Sequence, residues 1–175
     1  MGILAFCSRL TSRRGTAHRR STRTEACQQI EREFNMAVSI NWDKQGWDLA
    51  RAAYLADLDT DPHSPDVFRD WVQQALDRHT SRSPAERLEL AGTITDTPAS
   101  GDRIIRSFYL RPSTAEPFER AIVDDRVQTG RMVSRSGFIR EAILLAVADT
   151  KQRLDGRRLP QPPNRLPIRP PRRDI

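Results

Sequence analysis

Cysteine is almost missing from this chain. Cys7 and Cys27 are the only two, and neither belongs to a CxxC or Cys/His array. A disulfide framework and a zinc site are therefore both unsupported. Aromatic residues make up 6% of the 175 residues and hydrophobic residues 37%, which suits small helical units with disordered ends better than one large core. No apolar run approaches the ~20 residues that span a bilayer, so no membrane partner is expected. Histidine is scarce too: His18, His63 and His79 stand in unlike contexts, without HExxH, a paired nucleophile or a phosphate-binding glycine loop. Catalysis and a cofactor thus have no support. His63 reads as a turn residue and His79 as the end of a helix.

Acid is absent where base is dense. Residues 1–24 hold six Arg and no Asp or Glu, and residues 156–175 hold six Arg, six Pro and a single acid, Asp174. The net charge of +6 is therefore a property of the two ends, and the body between them is mildly acidic. Within that body, residues 36–100 carry 6 basic against 11 acidic side chains, while 101–155 carry 10 against 8. Basic ends of this kind raise nonspecific affinity for polyanions. Residues 1–35 read as a disordered basic segment, with ordered-looking sequence opening at Met36. The proline in 156–175 disfavours regular packing and reads as a disordered, extended tail.

Two segments carry pattern. In Arg106–Arg111, Phe108 and Leu110 alternate with Ser107, Tyr109 and Arg111, which predicts a strand with one apolar face. It is followed by two amphipathic segments, the second opening Ser134-Arg-Ser-Gly-Phe-Ile-Arg-Glu-Ala-Ile143. One short strand cannot bury its face alone, so it needs a partner strand and helices beneath. From Met36 a similar pattern appears. Val38, Ile40 and Trp42 alternate with Ala37, Ser39 and Asn41, and a helical stripe then runs through Trp47, Ala50, Tyr54 and Leu58. After Asp61-Pro-His-Ser-Pro65, a double stripe at Val67/Phe68, Trp71/Val72 and Ala75/Leu76 matches Phe138/Ile139, Ala142/Ile143 and Ala146/Val147 at a spacing of 71. The strands match at 70, which reads as an internal repeat with one indel.

Residues 106–148 resemble the ribbon-helix-helix (Arc/MetJ-type) family of DNA-binding proteins. Phe-Tyr-Leu-Arg111 is similar to that family's strand, Thr129-Gly-Arg131 to its inter-helix turn, and Ser134–Ile143 to the start of its second helix. Gly137 departs from the pattern, since a better helix former or a capping carboxylate is common there, and it leaves open whether Ser134 or Ser136 is the cap. The resemblance implies a mainly α fold with short strands, built as tandem ribbon-helix-helix (β-α-α) modules. The expected organisation is a basic segment at 1–35, a first module at 36–82, a linker at 83–102 with a short helix near Ala85–Leu90, a second module at 103–155, and the tail at 156–175. The two strands would pair within one chain as a pseudo-dimer, or two chains would pair as a homodimer.

The resemblance further implies double-stranded DNA as partner. Ser107, Tyr109 and Arg111, with Ser39 and Asn41, would contact bases in the major groove, where Arg suits guanine and Asn suits adenine. Ser134 and Ser136 at the helix start, with Arg131 and Arg135, would hold a phosphate. The first module offers Ser64 near the equivalent place, but Asp57, Asp59, Asp61 and Asp66 would repel phosphate. Those acids lack the glycine and glutamate of a calcium loop and read as an acidic turn. The implied role is sequence-specific transcriptional repression in the cytoplasm, on the nucleoid. A partition-type centromere binder or an antitoxin would use the same fold. A protein-interaction module, docking partners through the acidic module or the tails, is the alternative of another class.

Overall fold

The computed structural model describes residues 36–94, 102–162 and 165–166; the segment 1–35 lies outside them. Strand β1 (Met36–Asp43) is followed by helices α1 (Lys44–Thr60), α2 (Phe68–Thr80) and α3 (Pro84–Thr93). Strand β2 (Arg103–Leu110) is followed by α4 (Pro112–Thr129) and α5 (Arg135–Arg153). The described structure is thus mainly helical, with one two-stranded antiparallel sheet.

Each element starts where local chemistry requires it. Asp43 ends β1 and caps α1, its Oδ1 accepting from Gly46 N at 2.6 Å. Pro112 stops β2 because it has no N–H for a strand ladder, and it fits the first helical position of α4. Pro84 does the same for α3, where Ser83 and Glu86 form a reciprocal capping box. Gly130, at φ 72°, closes α4 in the left-handed region. Ser134 caps α5, accepting from Gly137 N at 3.0 Å. A Cβ on Gly137 would lie 3.2 Å from that Oγ and 3.3 Å from Val133 Cγ2, so the glycine keeps the cap uncrowded.

The strands pair with Met36 opposite Leu110 and Asp43 opposite Arg103, and Ser39 faces Ser107 at the centre. Val38, Ile40 and Trp42 of β1, and Phe108 and Leu110 of β2, are buried beneath the ribbon. They join Trp71, Val72 and Leu76 of α2 and Phe138, Ile139 and Ile143 of α5 in one core that draws on both strands. Helix α5 packs on α1, α2 and β1, while α4 packs on α2 and α3. The inward side of β2 has one exception. Arg106, opposite Ile40, is exposed and places its guanidinium 5.4 Å from the Trp47 ring centre.

Arg111, expected as the last residue of the second strand, instead caps α4, as Asp43 caps α1. A pattern of period 2 leaves the ends of a strand undefined; Pro112 ends β2 at Leu110. In segment 83–102, the short helix expected near Ala85–Leu90 is the ten-residue α3. Of the tail expected to be disordered, the described residues include Leu159 and Leu166, which pack partly buried against the core.

Asp57 in α1 and Asp125 in α4 lie equally far past their helix caps, Asp43 and Arg111, and both are buried. Asp57 accepts from Trp71 Nε1 at 2.8 Å, Thr150 Oγ1 at 3.1 Å and Arg153 Nη2 at 2.7 Å. Asp125 accepts from Arg87 Nε at 2.8 Å and Arg131 Nη1 at 3.1 Å. Arg87 also donates to the carbonyls of Thr80 and Arg82, fastening α3 to the end of α2. The partners differ in exposure: the Arg87 side chain is 2% exposed and that of Arg153 41%. Asp125→Ala strands a buried charge and should cost about 3–5 kcal/mol. Asp57→Ala leaves buried neutral donors and a cation that can reach water, at about 1–3 kcal/mol. Urea unfolding of both variants tests this order, and a larger loss at Asp57 contradicts it.

Candidate nucleic-acid interface

The outward face of the ribbon is a row of four cross-strand pairs: Ala37 with Tyr109, Ser39 with Ser107, Asn41 with Ile105, and Asp43 with Arg103. All are exposed except Asp43, which is half-buried by its capping role. Ser39 Oγ and Ser107 Oγ lie 3.1 Å apart and hydrogen bond to each other across the centre. Tyr109 is 60% exposed and Ile105 69%. The face is therefore mostly polar, with two large side chains standing out of it on either side of the serine pair.

Arg111 sits apart from this row. It follows β2, its backbone N–H donates to Gln73 Oε1 at 2.9 Å, and its guanidinium donates to Asp70 Oδ1 at 2.6 Å. Its side chain stays 56% exposed, so the ion pair is solvent-screened and open to exchange. Asn41 links the row to α5, since its backbone N–H donates to Ser136 Oγ at 3.2 Å.

The start of α5 lies beside that end of the ribbon. A cleft of about 680 Å³ is lined by Asn41, Asp43, Arg103, Ser134, Ser136, Arg140 and Glu141, among others. It gathers two arginines, two carboxylates and the amino end of a nineteen-residue helix around one space, so its charge is mixed and the exposed start of the helix is its anion-favouring part. The first amides of a helix have no intrahelical acceptor and carry the positive end of its dipole, so an anion is favoured there. Arg135 is exposed and pairs with Glu119 at 2.6 Å. Arg131 is different: it is nearly buried and bonded to both Asp125 and Glu141, which commits it to the interior. The start of α2 has the opposite character. Val67 caps it without a side-chain bond, Asp70 lies in its first turn, and Ser64 is buried upstream.

Arg103, Ile105 and Arg140 belong to this surface but lay outside the residues singled out by sequence. The strand expected at Arg106–Arg111 begins three residues earlier, at Arg103. Carrying the alternation upstream to Arg103 places Ile105 and Arg103 on the same face as Ser107 and Tyr109.

No protein-family model, curated protein or solved structure matches the chain. Among the described residues, no helix is long and apolar enough to cross a membrane.

On the wall of the cleft, Glu141 ties α5 to α2 and to the turn after α4. Burial pushes its carboxyl up, but His79, 3.7 Å away, and the bonded Arg131 outweigh that and hold it below the ordinary 4.5. A depressed folded value means that Glu141 adds stability above pH 4.5, lost as pH falls through its folded value. Thermal unfolding between about pH 3 and 7 should therefore show a shallower acid-side loss in Glu141→Gln than in the parent. Identical acid-side slopes contradict this assignment.

Proposed function

We propose that this chain is a sequence-specific DNA-binding protein of the ribbon-helix-helix type, most simply a transcriptional repressor, in which both strands of the reading ribbon come from one chain. The observation that carries the proposal is the antiparallel pairing of Met36–Asp43 with Arg103–Leu110, whose outward row of Ser39, Asn41, Ser107 and Tyr109 is exposed. A two-stranded ribbon fits the major groove, and ribbon readers use such a row of outward side chains. The shared frame of Asp43 with Arg111 and Asp57 with Asp125 supports two related strand-helix-helix units paired as an intrachain pseudo-dimer.

In this reading Asn41, Ser39, Ser107 and Tyr109 contact bases. The α5 start, through the amides around Ser134–Ser136, holds one phosphate, with Arg135 joining it by giving up Glu119. The acidic α2 start contributes little to the opposite side, so the site is asymmetric. Arg111 contacts DNA only by giving up Asp70, and Arg131 stays in the interior. A protein that works on DNA in this way acts where the DNA is, on the nucleoid of a bacterial host.

Selection from a random duplex pool, followed by mobility-shift titration, tests the reading. Asn41→Ala should cost about 1–3 kcal/mol of discrimination at one base pair. Arg135→Ala should weaken all sequences alike and reduce the salt slope by about 1. Arg111→Ala should alter base preference less than Tyr109→Ala. Selection that enriches no sequence, or an Asn41→Ala variant that discriminates as well as the parent, overturns the reading.

A further inference from the structure

Ile105 is the anomaly of the ribbon face. It is 69% exposed, in the middle of a strand, on the face otherwise occupied by Ser, Asn, Ala, Tyr and charged residues. The core does not require it there, since Ile104, Phe108 and Leu110 already supply the inward side of β2. Leaving a large β-branched side chain in water forgoes its burial, so a surface that covers it gains affinity. The face is not a single apolar patch of the kind that docks a protein, because the hydrogen-bonded Ser39–Ser107 pair separates Ile105 from Tyr109.

We propose that Ile105 and Asn41 together read an A·T-containing step: Ile105 packs on a thymine methyl while the Asn41 amide bonds an adenine. This rests on the DNA-binding reading above. The major-groove edges of the four bases offer a single apolar group, the thymine C5-methyl, and adenine N6/N7 matches the donor and acceptor of an asparagine amide. Asn41 and Ile105 are direct cross-strand partners, and such pairs hold their Cβ atoms about 4.5–5.5 Å apart. Successive bases rise about 3.4 Å along a strand, so the two side chains reach the same or neighbouring base pairs. At the other end of the ribbon, Ala37 and Tyr109 are the partners and offer no such amide and branched apolar group. The preference is therefore confined to one end of the site, the end beside the α5 start.

Uracil in place of thymine removes only the methyl group, which makes the test direct. With the full chain and a duplex from the selection, each thymine is changed to uracil in turn. At one position the parent should bind about fourfold more weakly, the effect of one buried methyl. Ile105→Ala should bind the thymine and uracil duplexes equally, and Asn41→Ala should lose the adenine preference at the same or adjoining pair. Circular dichroism confirms that these exposed-site variants fold. Indifference to every thymine-to-uracil change, or sensitivity that survives in Ile105→Ala, overturns the inference while specific binding stands. Absence of any sequence-specific binding sinks the DNA-binding reading itself, and this inference with it.

Discussion

Neither Met36–Asp43 nor Arg103–Leu110 could persist alone, because a single strand leaves its ladder groups unpaired and its apolar face open. Their antiparallel pairing solves both problems at once. It turns Val38, Ile40, Trp42, Phe108 and Leu110 to one side, and helices from both halves of the chain close over them. The same pairing fixes what remains outside. Apart from the stretch around the exposed Arg106, the residues of the outward row are there because their neighbours are needed in the core, so the polar face and the packed face are one constraint seen from two sides.

Below the ribbon, the two halves of the chain differ in chemistry. Asp57 and Asp125 share a helical position, yet the first gathers Trp71, Thr150 and Arg153 and the second gathers Arg87 and Arg131. The helix starts diverge further. That of α5 has a serine cap and nearby arginines, while that of α2 has Asp70 and no side-chain cap.

Much of the fold was legible in the sequence, because burial leaves periodic marks. The alternation at Val38, Ile40 and Trp42 and the stripes at Trp71/Val72 and Phe138/Ile139 correspond to buried faces. What could not be read follows from physics that leaves no period. The ends of β2, at Arg103 and Leu110, are invisible to a pattern that repeats every two residues. Asp57 looked like one of several acids in a turn, because its buried partners come from α2 and α5. Arg87 lies in the segment expected as a linker, yet it is buried against Asp125. At the candidate site, the outward Ser39, Asn41, Ser107 and Tyr109 were legible by parity. The engagement of Arg111 by Asp70 and of Arg131 by Asp125 and Glu141 depends on tertiary contacts that no spacing encodes.

The central claim is that one chain pairs its own two strands about Ser39 and Ser107. Replacing both serines by cysteine, with Cys7 and Cys27 changed to serine, tests it most directly, since antiparallel neighbours lie within disulfide range. Oxidation of the dilute protein should give a disulfide within a single chain, with monomer mass on a non-reducing gel. A disulfide-linked dimer as the main product, or two free thiols under conditions in which the protein is folded, contradicts the account.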